Sequence, residues 1–121
     1  MGYASAVEAV EAHIEALNTH EKAAISQTIV YPFVQLLPNG KSFTYVDEDA
    51  YPTSTMGPPI RLMACREVSR GTAGELVIFE VDVDQEDDGK PHRGPRRALY
   101  AVVKTDTGWR LTWRQFLGYL S

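Results

Sequence analysis

The spacing of apolar residues changes once along this chain, and that change limits the folds open to it. Near the start, apolar residues recur at the three- and four-residue spacing of an amphipathic helix, as Val7, Val10, Ile14 and Leu17. Beyond Pro32 apolar and polar residues alternate, which is the spacing of strands with one buried face. Helices followed by strands predict an α+β domain in which the helices pack on one face of a curved sheet.

Two helices are predicted before Pro32. The first covers residues 5–18, and Ser5 with Glu8 three positions later matches a capping box. The second is shorter, with Asn18 or Thr19 as its N-cap. It must end before Pro32, because proline lacks the backbone donor that a helix requires.

About six strands are predicted after the helices. Two short strands flank a Pro-Asn-Gly turn at residues 38–40, and a loop containing several prolines and glycine follows at residues 47–61. Four longer strands come next, in the segments "RLMACREVS", "ELVIFEVDVDQ", "RRALYAVVKT" and "WRLTWRQFL". Their short connections predict a mainly antiparallel meander.

Length and charge narrow the class of protein. A chain of 121 residues is the size of one domain, so we expect a single domain over residues 1–121. The net charge of −4 argues against nucleic acid or an anionic membrane as a partner. Cys65 is the single cysteine, and the N-terminus does not have the pattern of a signal peptide, so we expect a cytoplasmic protein.

The order of elements, at this length, resembles the nuclear transport factor 2-like superfamily, which includes ketosteroid isomerases and SnoaL-like polyketide cyclases. The segments that carry the resemblance are "EAHIEALNTHE" at residues 11–21 and "TDTGWRLTWRQFLG" at residues 105–118. The resemblance implies two N-terminal helices on the concave face of a strongly curved sheet. A cone-shaped, mostly apolar pocket would lie between them, and a homodimer would form through the outer sheet face.

The same resemblance implies positions for site residues. His13 falls where the isomerases have an oxyanion-binding tyrosine, and Leu37 falls where they have the general-base aspartate. Their second oxyanion-hole acid falls at Ala101, or at Tyr100 if the alignment shifts by one. An aliphatic side chain cannot abstract a proton, so Leu37 argues against the steroid-isomerase mechanism. His13, on the flank of the apolar face of the first helix, is the expected catalytic residue, as a hydrogen-bond donor or acid/base. A partly buried histidine bonded to a backbone carbonyl is the open alternative.

The residues predicted to contact a substrate are Leu37, Tyr100 and Ala101, from the alignment, together with Gln35 and Trp113. Gln35 alternates with Phe33, so its amide shares the pocket-facing side of the first strand. Trp113 alternates with Trp109 and Leu111 on the last strand, and its ring would form a flat wall for an apolar or aromatic ligand. Internal hydrogen bonding for Gln35 and ordinary core packing for Trp113 remain open alternatives.

The acidic strand "LVIFEVDVDQ" is predicted to face two environments. Its apolar residues Val77, Phe79, Val81 and Val83 would pack under the helices, leaving Glu80, Asp82 and Asp84 on the outer face. Arg110 and Arg114 are expected on that outer face, where they would offset the carboxylates.

No metal or organic cofactor is expected. The segment "HEKAA" starts like a zinc-protease helix, but Ala24 stands where the second histidine is required. The segment "DQEDDG" starts like a calcium loop, but Pro95 stands where the last acidic ligand is required.

Three functions are compatible with these patterns. The leading hypothesis is a cofactor-independent isomerase, cyclase or lyase acting on a small, largely apolar substrate. The alternative is a non-catalytic ligand-binding or dimerisation module of the same fold. A third, epoxide-hydrolase-like chemistry with an Asp-Arg-Asp set, is less favoured because the acidic residues are predicted on the outer face.

Overall fold

The computed structural model describes residues 3–52, 60–85 and 95–119. Two helices are followed by six strands, as predicted: α1 Ala6–Thr19, α2 Lys22–Ser26, β1 Ile29–Leu36, β2 Ser42–Tyr45, β3 Ile60–Arg70, β4 Leu76–Gln85, β5 Arg96–Thr105 and β6 Gly108–Tyr119. The α+β class and the packing of the helices on a mostly antiparallel sheet are confirmed.

Helix α1 begins and ends with recognisable caps. The Ser5 Oγ accepts a hydrogen bond from the Glu8 backbone N–H at 3.3 Å. The helix ends at His20, which takes the left-handed conformation with φ 59°. Between these caps the apolar face of α1, centred on Ala9, Val10 and Ile14, is buried against the sheet.

Helix α2 is shorter than predicted, and its N-cap is Glu21 rather than Asn18 or Thr19. Both polar side chains have other partners. The Asn18 amide exchanges two hydrogen bonds of 2.8 Å with the backbone of Ile60, and the Thr19 hydroxyl donates to the Ala16 carbonyl at 2.6 Å. The Asn18 prediction failed because its partner is 42 positions away. The Thr19 hydroxyl does accept from the Glu21 backbone N–H at 3.2 Å, but the helix begins two residues later than a Thr19 cap implies.

The sheet has the strand order β2-β1-β6-β5-β4-β3. Strands β3 to β6 form the predicted antiparallel meander, and β1 pairs with β2 as an antiparallel hairpin. The last strand also pairs with β1 in parallel, which places it in the middle of the sheet. Helix α1 packs against β3, β5 and β6, so the strand that ends the chain runs beneath the first helix.

A β-bulge in β6 changes which side chains face the helices. Ala101 pairs with Trp113, but the next residue, Val102, pairs with Leu111, so Thr112 is the extra residue. Because side chains alternate along a strand, one extra residue exchanges the two faces beyond it. Leu111 is therefore buried under the helices, and the side chain of Arg114 is directed to the same side.

The two faces of β4 are as predicted. Its apolar residues are buried in the core under the helices, at exposures of 0 to 6%: Val77, Phe79, Val81 and Val83. Its carboxylates lie on the opposite face and pair with arginines of β3 and β5. Asp82 accepts from Arg97 Nε at 2.8 Å and from Arg66 Nη2 at 3.0 Å, and Asp84 accepts from Arg61 at 3.4 Å.

The prediction that Arg114 lies on the outer face was wrong, because the bulge at Thr112 turns it inward. The partners of the β4 carboxylates are Arg61, Arg66 and Arg97 rather than Arg110 and Arg114. Neither of the described helices is long and apolar enough to cross a bilayer.

Candidate functional site

Polar and aromatic side chains meet in the interior of the cone, between α1 and the concave face of the sheet. His13 comes from α1, Arg114 from β6, Gln35 from β1, and Tyr51 from the connection after β2. Hydrogen bonds join the other three to Arg114, and Thr28 extends the set through His13. We call these five residues the Arg114 network.

The hydrogen bonds of His13 define its tautomer. The Thr28 hydroxyl donates its single proton to the Ile25 carbonyl at 2.7 Å, so Thr28 Oγ1 must accept from His13 Nδ1 at 2.8 Å. Arginine can only donate, so His13 Nε2 must accept from Arg114 Nη1 at 2.9 Å. Both bonds require the same species, a neutral imidazole with its proton on Nδ1.

The environment of His13 keeps it in that neutral form. Its side chain is fully buried, and its pKa is held well below the usual value by desolvation and, secondarily, by the positive charge of Arg114. Protonation would also place a donor opposite another donor at Nε2. In the structure, therefore, His13 serves to hold Arg114 in place.

Arg114 is fixed on three sides and stacked on two aromatic rings. Its Nε donates to the Gln35 Oε1, and its Nη2 donates to the Tyr51 hydroxyl at 2.9 Å. The guanidinium carbon lies 5.1 Å from the centre of the Phe33 ring and 5.8 Å from that of Tyr51, which is the range of cation–π contacts. The guanidinium therefore has a defined position and orientation.

The positive charge of Arg114 has no carboxylate partner within residues 3–52, 60–85 and 95–119. All three of its hydrogen-bond acceptors are neutral: an amide oxygen, a phenol oxygen and an imidazole nitrogen. A partly buried charge is normally paired, because removal from water is costly without compensation. The site therefore carries one unpaired positive charge, that of Arg114, next to the aromatic rings of Phe33 and Tyr51.

Tyr100 adds a second polar group to the same interior. It pairs with Arg114 across β5 and β6, and its ring is edge-on to His13 with the centroids 5.7 Å apart. Only 4% of the residue is exposed, and burial raises the pKa of its phenol. Within the described part of the chain its hydroxyl has no hydrogen-bond partner, so Tyr100 retains an O–H donor inside the cone.

The structure brings together some of the residues predicted from sequence. His13, Gln35 and Tyr100 meet around Arg114. Leu37 lies apart from them in the β1–β2 turn, where its backbone bonds to Lys41 and Gly40. Leu37 therefore lies apart from the site around Arg114.

Ala101 and Trp113 lie on the other face of the sheet from Tyr100 and Arg114. Ala101 is fully buried, yet neither residue belongs to the core under the helices, whereas Trp109 packs against it. The two pair with each other across β5 and β6, one position beyond the inward pair. To contact a ligand between the helices and the sheet, as predicted, both side chains would have to lie on the opposite face of the sheet.

The sequence reasoning missed Arg114, Tyr51 and Thr28. The sequence did show a break in alternation, because apolar residues occupy odd positions up to Trp113 and reappear at Phe116. That pattern puts the break after Trp113, whereas the bulge is at Thr112, so it could not place Arg114. Tyr51 lies in a connection without periodicity, so no pattern could place it. Thr28 lies just before β1, where a threonine carries no particular signal.

Within the described ranges, no group of three or more histidine, cysteine or acidic side chains is placed to hold a metal ion. The acidic segment that starts like a calcium loop extends from Asp84 beyond the described residues.

A scan against protein-family models and a search of curated proteins give no match to this sequence. Solved structures do match. A protein of unknown function with a cystatin-like fold from Nostoc punctiforme superposes with a TM-score of 0.72, at 14% identity over 95% of this chain and 89% of that one. A nuclear transport factor 2-like protein of unknown function from Shewanella oneidensis gives 0.67, at 17% identity over 91% and 93%.

The chain has the nuclear transport factor 2-like fold. A third similar structure is a proposed aromatic ring hydroxylase from Novosphingobium aromaticivorans, with a TM-score of 0.73 and 17% identity over 96% of this chain and 87% of that one. At such identities the likeness establishes the fold and leaves the chemistry to the site, because nuclear transport factor 2-like proteins share an architecture rather than one activity. The resemblance noted from sequence is confirmed at that level.

Proposed function

We propose that this protein binds a small, largely apolar or aromatic molecule inside the cone. The observation that carries the proposal is the pair Arg114 and Tyr100, two polar groups that keep donors free within an otherwise apolar interior. Binding sites for small molecules typically combine such an apolar lining with a few polar groups that set orientation.

The free donors favour a ligand over a purely structural role. Among the described residues the enclosed side-chain atoms that make no hydrogen bond are Asp84 Oδ1 and Arg110 Nε. The Tyr100 oxygen, unpaired within the described ranges, is not one of them, so it is accessible, and a bound molecule that accepts from it would form one more hydrogen bond. The rings of Phe33 and Tyr51 lie against the guanidinium, and both are buried, Phe33 completely. They hold the cation in an apolar setting, and a ligand would meet the half-buried guanidinium itself. Aromatic molecules are the first to test, because one structurally similar protein is a proposed aromatic ring hydroxylase.

A second candidate is catalysis of isomerisation, cyclisation or elimination without a metal or organic cofactor. The observation that favours it is the fixed position of Arg114, because donors oriented in advance stabilise negative charge that develops on a substrate oxygen. His13 as a direct donor or acid/base stays a prediction. Since both of its ring nitrogens are already bonded, we favour a role in positioning Arg114.

We also propose that a second copy of the chain covers the outer face of the sheet, and that the protein acts in the cytoplasm. The half-buried Leu99 and Trp113 give that face apolar surface, and the single cysteine is in keeping with a reducing compartment.

The test of binding starts from purified protein. Native mass spectrometry should detect a retained small molecule at a stoichiometric amount, or a panel of neutral and charged aromatic compounds should contain members that raise the melting temperature. Tyr100→Phe, which removes only the hydroxyl, should weaken binding, whereas Tyr45→Phe serves as the matched control. If no molecule is retained and no compound stabilises the protein, the proposal is wrong.

Whether a bound compound is chemically converted distinguishes a binding protein from an enzyme. A bound compound recovered chemically unchanged, after incubation in large molar excess over the protein, supports a binding protein. Its conversion to an isomer, a cyclised product or an elimination product supports an enzyme. Proton NMR of the incubation mixture distinguishes these outcomes, because each type of product has its own set of resonances.

A further inference from the structure

We propose that the ligand is a carboxylic acid in its ionised form, with an apolar or aromatic body, and that its carboxylate binds the free N–H groups of Arg114. This inference rests on the proposed function, because it concerns the ligand of the same site. It adds the chemical class of that ligand and the residue that recognises it.

The number of donors is the first step. A guanidinium has five N–H groups. Three of them serve Gln35, His13 and Tyr51, one from each guanidinium nitrogen. Within the part of the chain that the structure describes, Arg114 makes no further hydrogen bond, so one N–H remains on each terminal nitrogen. Two N–H groups on the terminal nitrogens of one guanidinium bind the two oxygens of a carboxylate when they are parallel, so carboxylate binding requires that the bonds to His13 and Tyr51 use the outer hydrogens.

Charge is the second step. On the outer face, Arg61, Arg66 and Arg97 each have a carboxylate oxygen at 2.7 to 3.4 Å, and all three are exposed or half-buried. Arg114 is half-buried on the helix side of the sheet, and its acceptors are neutral. Arg110, on the outer face, also has no carboxylate partner among the described residues, and its enclosed Nε has no acceptor there. Arg114 is therefore distinguished by its two remaining N–H groups on the helix side. A bound anion would supply the missing opposite charge.

The third step is the role of the neutral acceptors. The Thr28 hydroxyl directs the proton of His13 to Nδ1, which leaves Nε2 as an acceptor for Arg114. Gln35, at a position where a glutamate of the same length would neutralise the cation, supplies an amide oxygen instead. The network therefore orients the guanidinium without cancelling its charge, as expected for a site that receives an anion.

The surroundings favour a carboxylate over a phosphate. A phosphate monoester carries a charge near −2 and three acceptor oxygens, and so requires more donors than one guanidinium retains. One cation with two free donors matches a monoanion with two oxygens. The buried rings of Phe33 and Tyr100 beside the network make its surroundings apolar, which suits a ligand whose charge is confined to that one group.

The decisive experiment compares pairs of compounds that differ in one group. Isothermal titration calorimetry at pH 7.5 would measure 2-naphthoate against 2-naphthamide, and benzoate against benzamide, on the wild-type protein. We expect the acid of a pair to bind roughly 10- to 100-fold more tightly than its amide, the range for one charge-assisted, two-point hydrogen bond. This comparison needs no variant, so it decides the question even if substitutions at Arg114 prevent folding.

A variant assigns the preference to a residue. In Arg114→Gln the acid should lose its advantage over the amide, whereas Arg61→Gln should retain it, because Arg61 is a surface arginine whose side chain is 75% exposed. Loss of the preference in Arg61→Gln as well would show a general charge effect and overturn the inference.

The outcomes separate this inference from the proposed function. If acid and amide bind equally well, the carboxylate inference is wrong and the binding function stands. If the amide binds and the acid does not, Arg114 is a structural cation and the inference is also wrong. If neither member of any pair binds and the purified protein retains no molecule, both proposals fail.

Discussion

His13 Nε2 accepts a hydrogen bond from Arg114 Nη1 at 2.9 Å, across 101 positions of the chain. The bond joins the first helix to the last strand and lies at the centre of the cone. It requires a neutral histidine, since a protonated ring would have no lone pair to offer. A residue that sequence alone presented as a candidate acid/base is, in the structure, the acceptor that orients a cation.

This relationship predicts a dependence of stability on pH. Because the folded state lowers the pKa of His13, the unfolded chain takes up a proton at a higher pH than the folded protein does. The stabilisation from neutral His13 is fully present above the unfolded pKa of about 6.5 and declines as the pH falls below it. For one such group the free energy of unfolding should fall by up to about 1.4 kcal/mol per pH unit.

Urea denaturation at pH 7 and pH 5 measures this effect. His13→Gln should be less stable than the wild type at pH 7 but should lose less stability between the two pH values. His20→Asn is the control, because His20 is an exposed helix cap in the left-handed conformation that asparagine tolerates. An unchanged pH dependence in His13→Gln would show that the histidine titrates normally.

The difference between the predicted and observed sites traces to one residue of β6. The fold was predictable because the change in apolar spacing is a local property, and β4 was assigned correctly because its alternation from Val77 to Val83 is continuous. The bulge at Thr112 depends on how β6 pairs with β5, which a single sequence does not display. That one extra residue moved Arg114 to the inner face and Trp113 to the outer face.

Tyr51→Phe tests the contact that the connection after β2 makes with the network. The substitution removes the acceptor of Arg114 Nη2 and keeps the ring that packs on Phe33 and Tyr45. We expect a loss of about 1–2 kcal/mol in the free energy of unfolding, from one hydrogen bond to a charged group. Tyr45→Phe should cost less, because the Tyr45 hydroxyl makes no hydrogen bond within the described residues. Equal costs for both would contradict the assigned role of Tyr51.

Asp82 should dominate the ion pairs of the outer face. Only 7% of the residue is exposed, and it accepts from both Arg97 and Arg66. The hydrogen bond from Arg97 is the main reason that the pKa of its carboxyl is lowered, so its contribution is present above about pH 4 and is lost as the pH falls through the folded pKa. Asp82→Asn should cost about 1–3 kcal/mol at pH 7.

The comparison for Asp82 is Glu67→Gln, which breaks an exposed pair with Arg70 and should cost much less than Asp82→Asn. Chemical denaturation of the two variants at pH 7 provides the measurement. A cost for Glu67→Gln as large as that for Asp82→Asn would show that burial does not distinguish the two pairs.

We predict that the protein self-associates through the outer face of the sheet. Light scattering at micromolar concentration should give about twice the chain mass of 13.5 kDa if a second copy covers this face. Leu99 lies there, paired with Glu80 and Gln115, so Leu99→Arg should shift the protein toward the monomer. Val68→Arg places the same charge on the exposed edge strand β3 and should not. A monomeric wild-type protein would contradict the proposal.

Gln35→Glu tests whether the unpaired positive charge of Arg114 serves to bind a carboxylate. The substitution preserves the length of the side chain and places a carboxylate against Arg114 Nε, where an amide oxygen now accepts. Ion pairing with Arg114 is stronger than a hydrogen bond to a neutral acceptor. The change also replaces the amide nitrogen that donates to the Leu36 carbonyl at 3.2 Å by an oxygen that cannot donate, so the free energy of unfolding should rise by less than about 1 kcal/mol. The same change should abolish the preference of the site for carboxylates over amides, because the charge is then satisfied internally. A variant that gains stability and loses carboxylate binding would show that the wild-type site gives up stability to keep a cation available. A variant that binds carboxylates as tightly as the wild type would show that Arg114 is not what recognises them.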